Sequence, residues 1–246
     1  MAQPDGTAAR FPETRWSIVQ RARGDTPEAE TRRALEDICR GYWMPLYAFI
    51  RRSGQRPAEA EELTQEFLLR LVEGDFLARA DRERGKLRTF LLACLKHFLA
   101  DRMRLAYRQK RGGGQVPISI DQALAENTYG VEPVDDLTPD AVYERRWAMS
   151  LMTQVLDDLA LQMMQEGKQA QFDALAPFLR LGAPPAAMSE AATALGMSED
   201  AVKMAVSRLR QRYRDRLREA VRETLGPDDD LDTEMQHLRS VLAAST

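Results

Sequence analysis

Apolar residues recur along most of the chain at the three- and four-residue spacing that is typical of amphipathic α-helices. One such stripe consists of Leu35, Ile38, Tyr42, Leu46, Phe49 and Ile50. Alternation of apolar and polar residues, which would indicate a half-buried strand, is confined to a few positions near 116–120. The pattern therefore predicts an all-α protein.

Short sequence signals predict where several helices begin and end. Thr26-Pro27-Glu28 and Thr138-Pro139-Asp140 each combine a capping side chain with a proline at the first helical position. Pro57 is expected to begin the second helix, after a stop at Gly54. Pro45 is expected to kink or break the first helix, because its ring clashes with the preceding turn.

The segment 191–222 reads AATALGMSEDAVKMAVSRLRQRYRDRLREAVR and predicts two short helices joined by a turn. Gly196 permits the positive φ of such a turn, and Ser198 is expected to cap the helix that begins at Glu199. Small or apolar residues fall where the two helices must touch, at Ala191, Ala192, Leu195, Met197, Val202 and Ala205. This helix-turn-helix, followed by a basic helix, fits a DNA major groove and predicts duplex binding.

The expected duplex-reading residues lie at the cap and on the polar face of the second helix. They are Ser198, Lys203, Met204, Ser207, Arg208, Arg210 and Arg212. The arginines from Arg216 onward are left out, because Asp215 and Glu219 make that part a solvated face. Glu199 and Asp200 are interpreted as stabilising the positive end of the helix dipole rather than reading bases.

Charge is segregated along the chain, although the net charge of the 246 residues is only −3. Residues 82–111 contain ten Lys or Arg against two acidic residues, whereas residues 112–144 contain seven acidic residues and no Lys or Arg. Gly112-Gly113-Gly114 begins this acidic stretch and indicates a flexible linker. The expected layout is a helical domain at 1–111, a linker at 112–138, a helix-turn-helix domain at 139–225 and a tail helix at 226–246.

Composition argues against several other classes of protein. Cys39 and Cys94 have neither disulfide-framework nor metal-ligand spacing, and His97 and His237 are the only histidines. No nucleophile is accompanied by a base, so we expect no enzyme activity, no catalytic residues, no metal and no cofactor. The chain has no signal-peptide core and no apolar run long enough to span a bilayer, which predicts a cytoplasmic protein without a membrane segment.

The motifs TQEFLLRL, KLRTFLLACLKHFLADRMR and GMSEDAVKMAVSRLRQRY, in this order, resemble the bacterial sigma-70 superfamily. The likeness is greatest to its small extracytoplasmic-function (ECF) sigma factors, as a divergent subgroup, and extends from about Trp16 to Arg222. It implies a region 2-like domain that binds core RNA polymerase and captures melted minus-10 DNA. It also implies a region 4-like domain that reads the minus-35 duplex, and an acidic linker that mimics RNA in the polymerase channel. An anti-sigma factor or another regulator is a further partner that the family suggests.

The resemblance assigns two further sets of residues by position. The core polymerase-binding set is Glu59, Glu62, Leu63, Gln65, Glu66 and Phe67. The minus-10 DNA-binding set is Lys96, His97, Asp101, Arg102, Arg104 and Tyr107. The chain departs from the family where Phe90 replaces a common tryptophan and His97 a frequent asparagine. Ala201, Met204 and Ala205 in the second helix predict a different minus-35 sequence.

Other interpretations of the same residues stay open at this point. The acidic face around Glu62 is also what a solvated helix surface looks like, and His97 is more often a partly buried structural residue than a base contact. Trp16, Trp43 and Trp147 are interpreted as core residues. As a whole, the chain could be a helix-turn-helix regulator that acts without polymerase, or a helical decoy that occupies the sigma-binding surface of polymerase.

Overall fold

The computed structural model describes residues 28–73, 85–109, 137–179 and 187–243. All regular structure in these ranges is helical, as the sequence predicts. The predicted linker from 112 to 136, Trp16 and the helix-start signal at Thr26-Pro27 lie outside the described residues.

Eight α-helices are described. They are α1 (Glu28–Arg52), α2 (Pro57–Glu73), α3 (Leu87–Gln109), α4 (Pro139–Gln165), α5 (Gln169–Leu175), α6 (Ala187–Leu195), α7 (Glu199–Arg222) and α8 (Leu231–Ala243). A short 3₁₀ helix, Ala176–Leu179, continues α5, where the sequence predicts one α-helix over 172–181.

The chain forms two compact units. Unit 1 comprises Met1–Trp147 together with Glu223–Thr246, and unit 2 comprises Ala148–Arg222. The division falls inside α4 at Trp147 and just after α7, whereas the predicted domain boundaries lie at 138 and 225. The last segment of the chain is thus grouped with the first unit and not with the unit it directly follows.

The core of unit 1 is built from the apolar stripes of its helices. Tyr42, Leu46 and Ile50 of α1 are almost completely buried, as are the aromatic rings of Phe67 in α2 and Trp147 in α4. The expectation was that Pro45 kinks or breaks the first helix, and a break does not occur, because α1 continues from Glu28 to Arg52 through it. Burial on both sides of Pro45 outweighs the one backbone hydrogen bond that the proline removes.

The core of unit 2 joins α4 through α7. Leu159 and Met163 of α4 pack with Phe172 and Leu175 of α5, and the cluster continues through the buried faces of the next helices. These faces contribute Phe178, Ala187, Ala191, Val202, Ala205, Val206 and Leu209. Because these helices share one cluster, the start of α7 is held at a fixed angle to α6.

The turn between α6 and α7 has the geometry that its residues predict. Gly196 has a φ of 61°, in the left-handed region, and its amide donates to the carbonyl of Thr193. The hydroxyl of Ser198 accepts a hydrogen bond from the amide of Ala201 at 3.3 Å, and α7 begins at Glu199. The turn thereby ends one helix and caps the next.

Replacing Gly196 by alanine should destabilise unit 2. A β-carbon there would meet no atom within 4 Å, so the penalty comes from the left-handed backbone alone, about 1–2 kcal/mol. For a chain of this size we expect a thermal midpoint lower by roughly 2–8 °C in circular dichroism. Gly196→Asn is the matched control, because asparagine tolerates this backbone region and should recover part of the loss. Equal midpoints for G196A and wild type would contradict the argument.

Candidate nucleic-acid and polymerase interfaces

Helix α7 has one buried face and one face that projects into solvent. Val202, Ala205, Val206 and Leu209 are buried in the core of unit 2. The other side exposes Lys203, Met204, Ser207 and Arg208. Ser207 lies one turn beyond Lys203, and Arg208 lies one turn beyond Met204. Met204 is 57% exposed, which is unusual for a large apolar side chain. Four of the seven predicted duplex-reading residues thus form one continuous surface.

Lys203 lies beside the acidic start of its own helix. Its ammonium group pairs with the Asp200 carboxylate at 2.8 Å. This hydrogen bond and the negative charge raise the pKa of Lys203 and lower the pKa of Asp200. Lys203 therefore keeps its positive charge throughout the neutral range.

The other three predicted residues of this set have contacts inside unit 2. Ser198 caps α7, as described above. The guanidinium of Arg210 donates from Nε and Nη2 to the Phe178 carbonyl oxygen at 3.0 and 2.9 Å. Arg212 forms a close ion pair with Glu166 at the end of α4, and Lys168 pairs with the same carboxylate at 2.9 Å. Arg210 and Arg212 therefore hold α7 against its own unit in this structure.

A groove of about 310 Å³ runs beside the exposed face of α7. It is lined by Phe178, Met188, Lys203, Val206, Ser207, Arg210 and Arg214. Three of these side chains are cationic and none is acidic, so the groove favours an anion. A phosphate group of a nucleic acid backbone has the charge and the acceptor oxygens that such a surface takes.

The predicted minus-10 residues lie along α3 in unit 1. Lys96, His97, Asp101 and Arg104 are exposed, so His97 is not the partly buried structural residue that its type suggested. Lys96 pairs closely with Asp140 of α4, and Arg104 pairs with Asp101 at 3.2 Å. Tyr107 belongs to α3, but its side chain lies outside the described part of the molecule.

Glu66 of α2 joins the two sets of predicted residues in unit 1. Its Oε1 accepts from Arg70 at 2.7 Å, and its Oε2 pairs with Arg102 of α3 at 3.0 Å. One carboxylate of the predicted polymerase-binding set is therefore bound to one guanidinium of the predicted DNA-binding set.

The remaining polymerase-binding candidates differ in exposure. Glu62 and Gln65 are exposed on α2, Leu63 is half-buried, and Glu59 pairs with Arg56 at 3.2 Å. The Arg56 hydrogen bond lowers the pKa of Glu59, which keeps that carboxylate ionised. Three members of the set, Glu59, Glu62 and Gln65, thus present charge or polarity at the surface of α2.

Phe67 is a correction to that set. Its ring is completely buried and packs against Phe98 of α3 at a centroid distance of 5.6 Å. A side chain in this position cannot contact a partner protein. We therefore assign Phe67 to the core, where it fixes α2 against α3.

Three exposed apolar side chains in unit 1 were not anticipated from the sequence. Leu69 and Val72 of α2 and Met103 of α3 lie at the surface. The signal that could have found Leu69 and Val72 is their position, since both fall off the apolar stripe that ends at Leu71.

The described ranges contain no group of three or more His, Cys, Asp or Glu side chains that could hold a metal ion. Among the helices in these ranges, none combines the length and the apolar character that crossing a bilayer requires.

Residues 42–109 match the family model described as Sigma-70 region 2. The match covers the second half of α1, all of α2 and all of α3, which are the elements that carry the acidic face of α2 and the exposed cations of α3. The match makes this part of the chain, 68 of its 246 residues, similar to a region of the sigma-70 family. Comparisons with curated proteins and with solved structures gave no match.

The Glu166 cluster predicts a pH dependence of the stability of unit 2. Hydrogen bonds from Arg212 and then Lys168 lower the pKa of Glu166 to about 2. Because the pKa of Glu166 is lower in the folded chain than in the unfolded chain, its ionised carboxylate stabilises the fold at pH values above the unfolded pKa of about 4.3. This stabilisation disappears as the pH falls through about 2. Glu166→Gln should therefore lower the thermal midpoint at pH 7. The difference in midpoint between this variant and wild type should decrease as the pH is lowered from 4 to 2. Glu219→Gln, within a pair confined to α7, is the control; a difference from wild type that is independent of pH would contradict the assignment.

Proposed function

We propose that the chain is a sigma factor that binds core RNA polymerase and directs promoter-specific initiation. The observation that carries the proposal is the match of residues 42–109 to Sigma-70 region 2. In this proposal, unit 1 engages polymerase and captures the melted minus-10 strand, and unit 2 reads the minus-35 duplex. The chain supplies binding and strand capture, and the chemistry belongs to the polymerase.

The role of α7 in minus-35 recognition is supported by its exposed face. Lys203 and Arg208 supply positive charge and hydrogen-bond donors for guanine edges or phosphates, and Ser207 adds a small polar group between them. Met204 offers an exposed apolar contact for a thymine methyl group. Arg210, through its contact with Phe178, and the capping residue Ser198 hold the helix in position for this role.

The role of α3 in minus-10 capture is supported by the exposed cations along it. Lys96 and Arg104 are exposed about two turns apart and would attract the phosphates of a separated strand, and the half-buried Arg102 lies between them, paired with Glu66. The exposed His97 ring is placed among them for stacking on an unpaired base. Tyr107, at the end of the same helix, is the second stacking candidate of the proposal.

The finer parts of the proposal follow the family resemblance. We assign the chain to a divergent ECF subgroup, with a region 4-like helix-turn-helix in residues 139–225 and an acidic linker in residues 112–138 that enters the polymerase channel. The proposal places the protein in the cytoplasm with polymerase and promoter DNA as its partners. An anti-sigma factor or another regulator would act on these same surfaces.

Two alternatives make different predictions in one experiment. A helix-turn-helix regulator would bind duplex operators tightly without polymerase, and a decoy would bind polymerase without activating it. The test is a pull-down with core polymerase, followed by in vitro transcription from promoters selected out of a random library. Specific transcription supports the sigma factor, binding without transcription supports the decoy, and no binding supports the regulator.

Removing cations from the exposed face of α7 should weaken minus-35 binding. Each base-edge contact contributes about 1–3 kcal/mol, so Lys203→Ala and Arg208→Ala should each lower the affinity for the minus-35 element by roughly 5- to 150-fold. Footprinting over a range of holoenzyme concentrations measures this affinity, and core polymerase binding should be unchanged. Arg222→Ala is the matched control, because Arg222 is exposed on the same helix and paired with Glu219. The proposed role of α7 fails if all three variants protect the minus-35 region equally.

Reversing charge at Glu62 should weaken association with core polymerase. Glu62 is exposed on α2, and an acidic surface steers association with a basic partner. Glu62→Lys should lower the association rate about tenfold at low salt, with a smaller difference at high salt. Glu62 is preferred over Glu66, because Glu66→Lys would also release Arg102 on α3.

The control for this experiment is Glu73→Lys, at the exposed last residue of α2. It makes the same change of charge on the same helix outside the proposed binding set. Surface plasmon resonance with immobilised core polymerase gives the association rates of both variants. Identical rates for E62K and E73K would rule out a specific role for Glu62.

A further inference from the structure

Arg88, the second residue of α3, is a buried cation in unit 1. Its side chain is only 3% exposed, and its guanidinium lies 4.1 Å from the centroid of the Trp147 ring. Nε pairs with Glu144 of α4 at 2.8 Å, and Nη1 pairs with Glu234 of α8 at 2.6 Å. A charge in this position requires such partners, because a buried unpaired ion is strongly unfavourable.

Glu234 is the more deeply buried of the two carboxylates. It is 1% exposed, and its second oxygen accepts from Lys86 at 2.5 Å. Burial alone would raise the pKa of Glu234, but the Lys86 hydrogen bond and the charge of Arg88 lower it below its ordinary value. Glu234 is therefore ionised at neutral pH and contacts two cations at the beginning of α3.

The rest of the C-terminal segment is packed into unit 1 as well. Thr224 and Leu225, which lead into α8, are buried, as are Met235 and Leu238 within it. Asp230 caps the helix by accepting from the amide of Thr233 at 2.8 Å. A helix that is merely attached to a domain would leave these side chains exposed, so α8 is a structural part of unit 1.

The contacts of Arg88 lie at the beginning of α3, and residues further along the same helix form the proposed minus-10 surface. Lys96 is eight residues beyond Arg88, about 12 Å along the same continuous helix. A helix that is anchored at its first turn has a defined direction over its whole length. The carbonyl of Arg88 is also held, because it accepts from the buried Tyr143 hydroxyl at 3.0 Å.

We propose that the C-terminal helix α8 positions α3 for capture of the melted strand, with Glu234 and Arg88 as the positioning residues. The inference rests on the proposed function of α3 and adds a role for the tail that the region 2 match does not include, since that match ends at residue 109. Loss of the Glu234 charge leaves Arg88 with Glu144 alone and loosens the first turn of α3. Polymerase binding through α2 and duplex reading through α7 do not depend on this contact.

The test compares the full-length variants Glu234→Gln and Glu234→Asp with Arg239→Ala. Arg239 is exposed on the same helix and is the matched control. Hydrogen exchange of the peptides covering residues 87–95, measured without polymerase, reports on the anchoring of α3. Permanganate footprinting of the holoenzyme reports on promoter melting, and protection at minus-35 reports on duplex binding.

The expected result is about tenfold faster exchange and about tenfold less melting for E234Q, with minus-35 protection and core binding within about twofold of wild type. E234D keeps the charge and should therefore restore part of the exchange protection and part of the promoter melting. R239A should behave like wild type in both measurements. Aspartate keeps the carboxylate on a side chain that is one methylene shorter, so E234D weakens the ion pair without removing it. If E234Q does not fold, E234D is the variant that tests the positioning role. Unchanged exchange, or faster exchange with normal melting, overturns the positioning role.

Failure of the proposed function gives a different result. If wild-type holoenzyme melts no promoter, the role in strand capture is overturned together with the sigma assignment. The exchange measurement still decides whether the tail anchors α3, because it requires neither polymerase nor DNA.

Discussion

The guanidinium of Arg88 keeps its charge at any pH that a cell meets, and yet it is almost wholly enclosed in unit 1. Burial alone would lower the pKa of Arg88, but the charges of Glu144 and Glu234 raise it. Because arginine cannot become neutral to escape burial, the protein must bring carboxylates to it. This requirement joins three segments that are distant in sequence, namely the beginnings of α3 and α4 and the C-terminal helix.

Ion pairs elsewhere divide the cationic residues into two groups. Arg102 pairs with a carboxylate on α2, Arg212 pairs with Glu166 in the turn that follows α4, and Arg210 is bonded to a backbone carbonyl. These arginines fix the geometry of α3 and α7 before any ligand arrives. Lys203 is paired only within its own helix, to an exposed carboxylate, and such pairs contribute little to stability. Lys203 can therefore exchange this partner for another with little loss of stability.

Local features were predictable from the sequence, because they depend on neighbouring residues. The Gly196 turn, the Ser198 cap and the start of α2 at Pro57 follow from backbone sterics and hydrogen bonding over three or four positions. The continuation of α1 through Pro45 was not predictable in this way, since it depends on how much apolar surface the flanking turns bury.

Long-range pairing was the main property that the sequence could not provide. Segregated charge was visible in the sequence, but it does not identify the partners: Lys86 and Glu234 are 148 residues apart, and many other pairings have the same charges. For the same reason, the tail was expected to be a separate helix. In the candidate site, exposure was predictable from the helical period for Lys203 and Glu62, whereas the burial of Phe67 depended on the position of Phe98 in the next helix.

Glu66 links the acidic face of α2 to the cationic face of α3 through a single carboxylate. A substitution there changes two surfaces at once, so its effect on one partner cannot be separated from its effect on the other. Over evolutionary time, positions 66 and 102 are expected to change together, and genetic suppressors of a defect at one should appear at the other. Under the proposed function, adaptation to an altered polymerase would then also change the binding of the separated strand, without any selection on the DNA itself.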